Sequence, residues 1–213
     1  MDIVYPLGFE SLSDDDELRF SLRSLERYMT DFDNVYIYGQ LPDWIKNVIH
    51  VPMPDDNSDP RVNVRRKILS AALNPSISAD FLLMADDIFA LRSFSGENLP
   101  FYATTKGVGS IMCPLRYTLH LPIRYNREMY AKMPFPEPPP SGHSPRDFYC
   151  NFYSAPATPA HDCILKEGAN HKSYDEQITN YDFCVIGNAI ITNMEFRLWL
   201  LKKFPTPSRF ECE

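Results

Sequence analysis

No apolar run in this sequence approaches the ~20 residues that a helix needs to cross a bilayer, so membrane insertion by that route is not expected. The N-terminus, Met1-Asp2-Ile3-Val4-Tyr5, lacks the basic stretch of a secretory signal and reads as a strand from its second residue. A complete cytoplasmic protein is the expectation. There is no CxxC pair: the five cysteines, Cys113, Cys150, Cys163, Cys184 and Cys212, are odd in number and widely spaced. That pattern fits free thiols in a reducing compartment rather than a disulfide framework. Cys150, His161 and Cys163 can be drawn as zinc ligands, but the closely spaced pairs of such sites are missing. Internal repeats are absent, and beyond one proline run so are low-complexity tracts.

Excess positive charge is also lacking. The net charge is −7, and it is uneven: residues 1–60 carry thirteen acidic and four basic side chains, whereas residues 61–213 carry fifteen acidic and seventeen basic ones. The whole chain is therefore not a nonspecific polyanion binder, although its second part can present a local basic face.

What is present fits one domain over residues 1–213, 44% hydrophobic. Residues 2–7 read as a strand ended by Pro6, followed by a loop through Asp14-Asp15-Asp16-Glu17, whose carboxylates suit the start of a helix. Leu18, Leu22, Leu25 and Met29 recur at helical spacing and predict a helix over 16–29. Arg19, Arg23 and Arg27 share another face, either solvated and paired with acids such as Glu26, or turned toward an anion. Strands are expected over 34–39 and 48–52, and a helix over 62–73, where Asn63 and Lys67 are i, i+4 neighbours. Strands alternating with helices predict an α/β fold with a mainly parallel sheet.

The fourth expected strand covers 80–91, an apolar run with Asp86 and Asp87 set in it. Two charges there are costly to desolvate unless paired, and a divalent cation, Mn²⁺ or Mg²⁺, is the partner that suits two hard carboxylates. In parallel sheets ligands bind beyond the carboxyl ends of strands. Asp86, Asp87 and the loop after Tyr5 all fall at such ends. The bland alternative is a surface turn.

Beyond residue 92 the character changes. Nine of the nineteen prolines lie between Leu121 and Pro159, a density that forbids continuous helix or central strand. Phe148, Tyr149, Phe152 and Tyr153 argue for an ordered, extended lobe rather than disorder. The domain thus divides into residues 1–92, a nucleotide-binding half, and 93–213, a proline- and aromatic-rich acceptor half. A helix is expected over 194–204, ending at Pro205.

Several blocks are similar to those of a known family. Asp2-Ile3-Val4-Tyr5, then Glu17-Leu18-Arg19-Phe20-Ser21-Leu22-Arg23-Ser24, resemble the opening of the Stealth proteins, which include capsular-polysaccharide sugar-phosphate transferases and the GlcNAc-phosphotransferase catalytic subunit. Val35-Tyr36-Ile37 with Leu41-Pro42-Asp43-Trp44-Ile45 resembles the next block. Asp86-Asp87 stands where Stealth has Asn-Asp-Asp, with Ala85 in place of the asparagine, and His120-Leu121-Pro122 resembles a later His-x-Pro block. The arginine-bearing block has no clear counterpart; His143, Arg146 or His171 could stand in. Residues after 90 look more like short glycosyltransferase-like proteins of phages and prophages.

The resemblance implies a GT-A-like fold and a nucleotide-sugar donor. Asp86 and Asp87 would hold metal and diphosphate, Tyr5, Arg19 and Arg23 would lie near the donor, and His120 near the reacting centre. Helical spacing adds Asn63 and Lys67 to the donor side. An incoming hydroxyl needs a base if the reaction inverts, and His120 and Asp162 are preferred over Asp175 and Glu176. The expected acceptor is a hydroxymethylated pyrimidine of phage DNA, with a polysaccharide or other glycan, receiving sugar or sugar phosphate, as the alternative. DNA would be approached through Arg116, Arg124, Arg127, Lys132, Arg146, Lys166 and Lys172, with the base flipped onto Tyr149, Phe152 or Tyr153. A non-catalytic nucleotide- or glycan-binding module is the alternative of another class.

Overall fold

The computed structural model describes residues 1–8, 14–104, 121–135, 144–160, 163–165, 172–187 and 190–212. In chain order the elements are β1 (Asp2–Leu7), α1 (Asp16–Tyr28), β2 (Val35–Gly39), β3 (Ile49–Val51), α2 (Pro60–Leu73), β4 (Asp80–Leu83), β5 (Ile88–Ala90), β6 (Phe101–Thr104), β7 (Ile123–Asn126), α3 (Arg127–Lys132), α4 (Pro145–Phe152), β8 (Ala157–Ala160), β9 (Ile164–Leu165), α5 (Tyr174–Ile178), β10 (Phe183–Ile186) and α6 (Met194–Lys203).

The two-residue period of the strands sorts the core. In β1, Ile3, Tyr5 and Leu7 face α1 and pack with its Leu18, Leu22 and Leu25. Val4 faces the other way, with Tyr36, Tyr38 and Phe81, against Ile68, Ala71 and Ala72 of α2. The result is a five-stranded sheet in the order β3-β2-β1-β4-β7, with a helix layer on each face. The pairings β1–β2, β1–β4 and β2–β3 are parallel and β4–β7 is antiparallel. The expected mainly parallel α/β sheet is what forms. β5, β10 and β9 make a second sheet, and β6 pairs with β8.

Three expectations change. The run 80–91 is two strands in different sheets, β4 in the central sheet and β5 antiparallel to β10. The chain turns at 85–88, where Ile88 N–H donates to the Ala85 carbonyl at 3.2 Å. Two adjacent carboxylates are costly to bury in a strand covered on both faces, and the chain leaves the sheet there. The start of α1 also differs: Asp15 has φ 56° and its side chain makes no capping bond. Asp16 instead pairs with Arg19 at 3.2 Å and with Arg197.

The third change concerns the proline-rich stretch, which holds two short helices. α4 begins on Pro145, where a missing N–H costs nothing, and Ser144 and Asp147 close a capping box. β7 enters the central sheet beside β4, so that sheet draws on both sides of residue 92.

Candidate active site

The turn at 85–88 is held from below by two hydroxyls. Ser21, fully buried on α1, donates to the Ile88 carbonyl at 2.7 Å, and the Ala85 carbonyl lies 3.4 Å from the same oxygen. With that proton spent, the Tyr5 hydroxyl donates to Ser21 Oγ at 3.0 Å. Ser24 continues the pattern, accepting from Ala90 N at 2.9 Å. Tyr5 is 1% exposed, and burial pushes its phenol far above the usual range. The structure therefore places Tyr5 beneath the turn as a support. The sequence reading passed over Ser21; the signal available was a small hydroxyl among Leu18, Leu22 and Leu25 on a buried stripe.

The carboxylates above are crowded. Desolvation, then the charges of Asp87 and Glu17 and more weakly Asp15, push the Asp86 carboxyl up to about 7. The acidic loop before α1, read as a helix start, thus belongs electrostatically to the Asp86-Asp87 turn. Mutual repulsion among hard oxygen donors is what a divalent cation relieves. Among the described residues no group of three or more His, Cys, Asp or Glu side chains is arranged to hold a metal ion. The residues fit a cation taken by two carboxylates and completed by substrate phosphate and water, as Mg²⁺ sites commonly are.

A pH dependence follows. The folded chain keeps the Asp86 proton to about pH 7, whereas the ordinary value is 3.8. Between those values the folded state binds more protons than the unfolded state, so stability falls as pH rises from about 4 to 7. In EDTA, the melting temperature is expected to decline across that window, and Asp86→Asn to flatten the decline. An unchanged slope in the variant assigns the titration elsewhere.

Asp86 and Asp87 line a cavity of about 300 Å³ with Pro6, Val64, Ile68, Leu83, Tyr125 and Arg146 among its other walls. Arg146 comes from the first turn of α4 and is 8% exposed. The sequence offered it as one of several basic residues and, with His143 and His171, as a stand-in for the arginine-bearing block; its meeting with Asp86 and Asp87 in one cavity wall is tertiary and left no local signal.

The other expected donor residues are engaged elsewhere. Arg23 is 9% exposed and grips Glu211 through Nε at 2.8 Å and Nη2 at 2.6 Å, donating also to the Phe204 carbonyl at 3.0 Å. Arg19 stacks over Trp44, 4.3 Å from the ring centre, and reaches Glu211 at 3.4 Å. These arginines fasten the C-terminal tail and do not line the Asp86-Asp87 cavity. Lys67, 1% exposed, donates to the Leu7 carbonyl at 2.7 Å and pairs with Asp55 at 2.5 Å. It ties the end of β1 to the loop before α2. Gly39 makes room for this contact: its φ is +129°, and a Cβ there would lie 1.9 Å from the Leu7 oxygen and 3.1 Å from Lys67 Nζ. Asn63 accepts from Asn57 N at 3.1 Å and donates to the Asn57 carbonyl at 2.8 Å, shaping the same loop. Asn63 and Lys67 do share a helix face, as their spacing implied, but the face serves that loop.

His120 and Asp162 lie outside the described residues, as do Arg116, Lys166 and His161. Of the remaining basic residues, Arg124 donates to the Glu97 carbonyl, Arg127 to the Asn74 carbonyl at 2.8 Å, and Lys132 to Glu128 at 2.5 Å. Lys172 is exposed. Tyr149 is a core residue whose hydroxyl accepts from Asn126 N at 2.9 Å, and the Tyr153 hydroxyl donates to the Met129 carbonyl at 2.5 Å. Phe152 is exposed. Cys150 and Cys163 are free, buried in different apolar clusters, and burial pushes their thiols up to about 12 and about 11. Their places in separate apolar clusters fit packed thiols. No described helix is long and apolar enough to cross a membrane.

A parallel sheet sandwiched by helices, an antiparallel strand at its edge and paired carboxylates at the carboxyl end of a central strand together make a GT-A-like fold. The solved structure of the galactosyltransferase LgtC, in complex with donor and acceptor sugar analogues, is similar over 98% of this chain and 98% of that chain, with a TM-score of 0.57 and 11% sequence identity. At that identity the likeness is one of fold. No protein-family model matches the sequence, and comparison with curated proteins finds no match.

Proposed function

We propose that the chain is a divalent-metal-dependent glycosyltransferase that moves a sugar from a nucleotide-sugar donor to a hydroxyl acceptor. The supporting observation is the placement of Asp86 and Asp87 at the end of β4, in the wall of a cavity, on a GT-A-like fold. Negative charge grows on the departing diphosphate as the glycosidic bond breaks, and a cation held by carboxylates offsets it. In this reading Asp86 and Asp87 bind that cation and, through it, the diphosphate. Ser21 and Tyr5 fix the height of the turn that carries them. Arg146 supplies further positive charge in the same cavity. If the reaction inverts, proton removal from the acceptor falls to His120 or Asp162.

The acceptor we favour is a glycan hydroxyl. Arg124, Arg127 and Lys132 are already bonded within the chain, and Tyr149 is packed in the core, so the described part of the second half offers little to a DNA backbone or a flipped base.

The test is incubation with a panel of nucleotide sugars and Mn²⁺. Release of nucleoside diphosphate, and labelled transfer to an oligosaccharide, are the expected results. Transfer to hydroxymethylated DNA, or of a sugar phosphate as in Stealth enzymes, would revise the acceptor or the group moved. Binding of donor without turnover would leave a non-catalytic module.

A further inference from the structure

We infer that the hollow bounded by Tyr102, Asn180, Tyr181 and Asp182 is a carbohydrate subsite, which holds a neutral sugar unit of the acceptor apart from the Asp86-Asp87 cavity. Its assignment to the acceptor rests on the glycosyltransferase reading; its affinity for a sugar does not.

The hollow has a volume of about 290 Å³. β6 supplies Tyr102 and β8 supplies Ala160, and the two strands are parallel neighbours. The turn between α5 and β10 supplies Asn180, Tyr181 and Asp182. Backbone bonds fix that turn: Tyr181 N donates to the Ile178 carbonyl at 3.0 Å, and Leu91 N to the Asp182 carbonyl at 2.8 Å. Phe183 gives a buried wall and meets Phe94 edge-on, 5.0 Å between centroids. β10 links this place to the candidate active site. Phe183 stands at one end of the strand, and at the other Ile186 N donates to the Asp87 carbonyl. At a strand's rise per residue, the two ends are on the order of 10 Å apart. The hollow and the Asp86-Asp87 cavity share no described lining residue.

A ligand can reach these side chains: Asn180 and Asp182 are exposed, and Tyr102 and Tyr181 are partly so. Among the described residues no hydrogen bond uses the Tyr102 or Tyr181 hydroxyl or the Asn180 side chain. Asp182 meets Arg92 only at 3.4 Å, and both side chains are more than half exposed. Its carboxylate has two oxygens with about four acceptor positions, so that loose pair leaves room for more bonds. Burial, then the Asp182 charge, pushes the Tyr102 phenol up. The Tyr102 hydroxyl is therefore a neutral donor in the field of that carboxylate. A sugar unit complements this set. Its C–H face packs on an aromatic ring, and its hydroxyls both donate and accept. A bond from a sugar hydroxyl to Asp182 is charge-assisted. Asp182 carries the one formal charge in the described wall, and it is negative, so a phosphate backbone or an anionic glycan is repelled there. The volume lies at the low end of ligand pockets, roughly 300–1,000 Å³, which suits a single sugar unit.

The experiment compares the full chain with Tyr102→Phe and Asp182→Ala, which delete a donor and the charged acceptor. Only the exposed Arg92 pair is lost from the fold, so melting temperatures should stay within about 2 °C of wild type. The first step uses no donor. Labelled protein is applied to an array of neutral, phosphorylated and uronate-bearing oligosaccharides. Binding of neutral members is expected, weakened about tenfold or more by Asp182→Ala and less by Tyr102→Phe. The second step adds the donor that wild type turns over, with a neutral oligosaccharide acceptor. Both variants should raise the acceptor KM while kcat and the donor KM stay unchanged, the mark of binding felt equally in ground and transition states. No binding of neutral glycans, a preference for anionic ones, or binding undiminished in both variants overturns the inference. So does an unchanged acceptor KM, or a loss that falls on kcat or on the donor KM. If wild type turns over no nucleotide sugar, the functional reading falls and the acceptor role with it. The array then decides the sugar site alone: neutral-glycan binding weakened in Asp182→Ala upholds it, and its absence overturns it.

Discussion

Asp87→Asn is expected to lower kcat/KM for sugar transfer by about 10²–10³-fold, the scale on which loss of one charge-stabilising group acts on a transition state. The substitution keeps the side-chain volume and removes one of two formal charges that would hold the cation. It leaves the turn's backbone supports in place: Ser21 on the Ile88 carbonyl, Ile186 N on the Asp87 carbonyl at 3.2 Å, and Met84 N on the Val4 carbonyl at 3.0 Å. The loss should therefore appear in kinetics and donor affinity at full Mn²⁺, with the circular dichroism spectrum unchanged. Asp86→Asn should reduce activity similarly but stabilise the metal-free protein near pH 7, because it deletes a carboxyl whose burial, and after it the charges of Asp87 and Glu17, oppose ionisation. Opposite signs on activity and stability mark a site that keeps strain for function. Full activity in either variant would remove that carboxylate from the mechanism.

The second large effect is on stability. Glu211→Gln is expected to cost about 3–5 kcal/mol, because it leaves the buried Arg23 guanidinium without its counter-charge. For a chain of this size that corresponds to a fall in melting temperature on the order of 10 °C. Glu211 is 5% exposed and accepts from Arg23 at 2.8 and 2.6 Å, and from Ser208 N and Oγ at 2.7 and 3.0 Å. Burial by itself would raise its carboxyl; the bonds from Arg23 and Ser208 overcome this and hold it below the usual range. A depressed carboxylate stabilises the fold above its unfolded pKa and loses that contribution as pH falls, so the variant should differ least from wild type in acid. The double variant Arg23→Met/Glu211→Leu should recover much of the loss, since apolar replacement of a buried pair is often tolerated. A melting temperature within about 1 °C of wild type for Glu211→Gln would mean that water already screens the pair.

These two sites differ in how far the sequence announced them. Asp86-Asp87 could be read because a charged pair inside an apolar run has few physical excuses, and because the periodicities of residues 2–39 and of α2 gave the parallel sheet that puts it at a strand's end. The break between β4 and β5 was less visible, since both pieces are apolar and nothing local says which sheet each will join. Arg19 and Arg23 were read either as paired with nearby acids such as Glu26 or as turned toward a donor phosphate; they pair with acids, but the shared one is Glu211, 188 residues from Arg23. Sequence spacing carries no information about a partner that distant. The same holds for Arg146, which shares the wall of one cavity with Asp86 and Asp87. Lys67 and Asn63 show a further ambiguity: helical spacing puts two polar groups on one face, but a loop of the chain can meet them as readily as a ligand can.

The account turns on whether Asp86 and Asp87 carry a cation that binds a nucleoside diphosphate. The most direct measurement is isothermal titration calorimetry of the protein with the diphosphates of the common nucleosides, in Mn²⁺ and in EDTA, for wild type and for Asp87→Asn. The account predicts that at least one diphosphate binds wild type in Mn²⁺, and that this binding is lost in EDTA and strongly weakened in Asp87→Asn. Binding of equal strength with and without the metal, or undiminished in the variant, would contradict it.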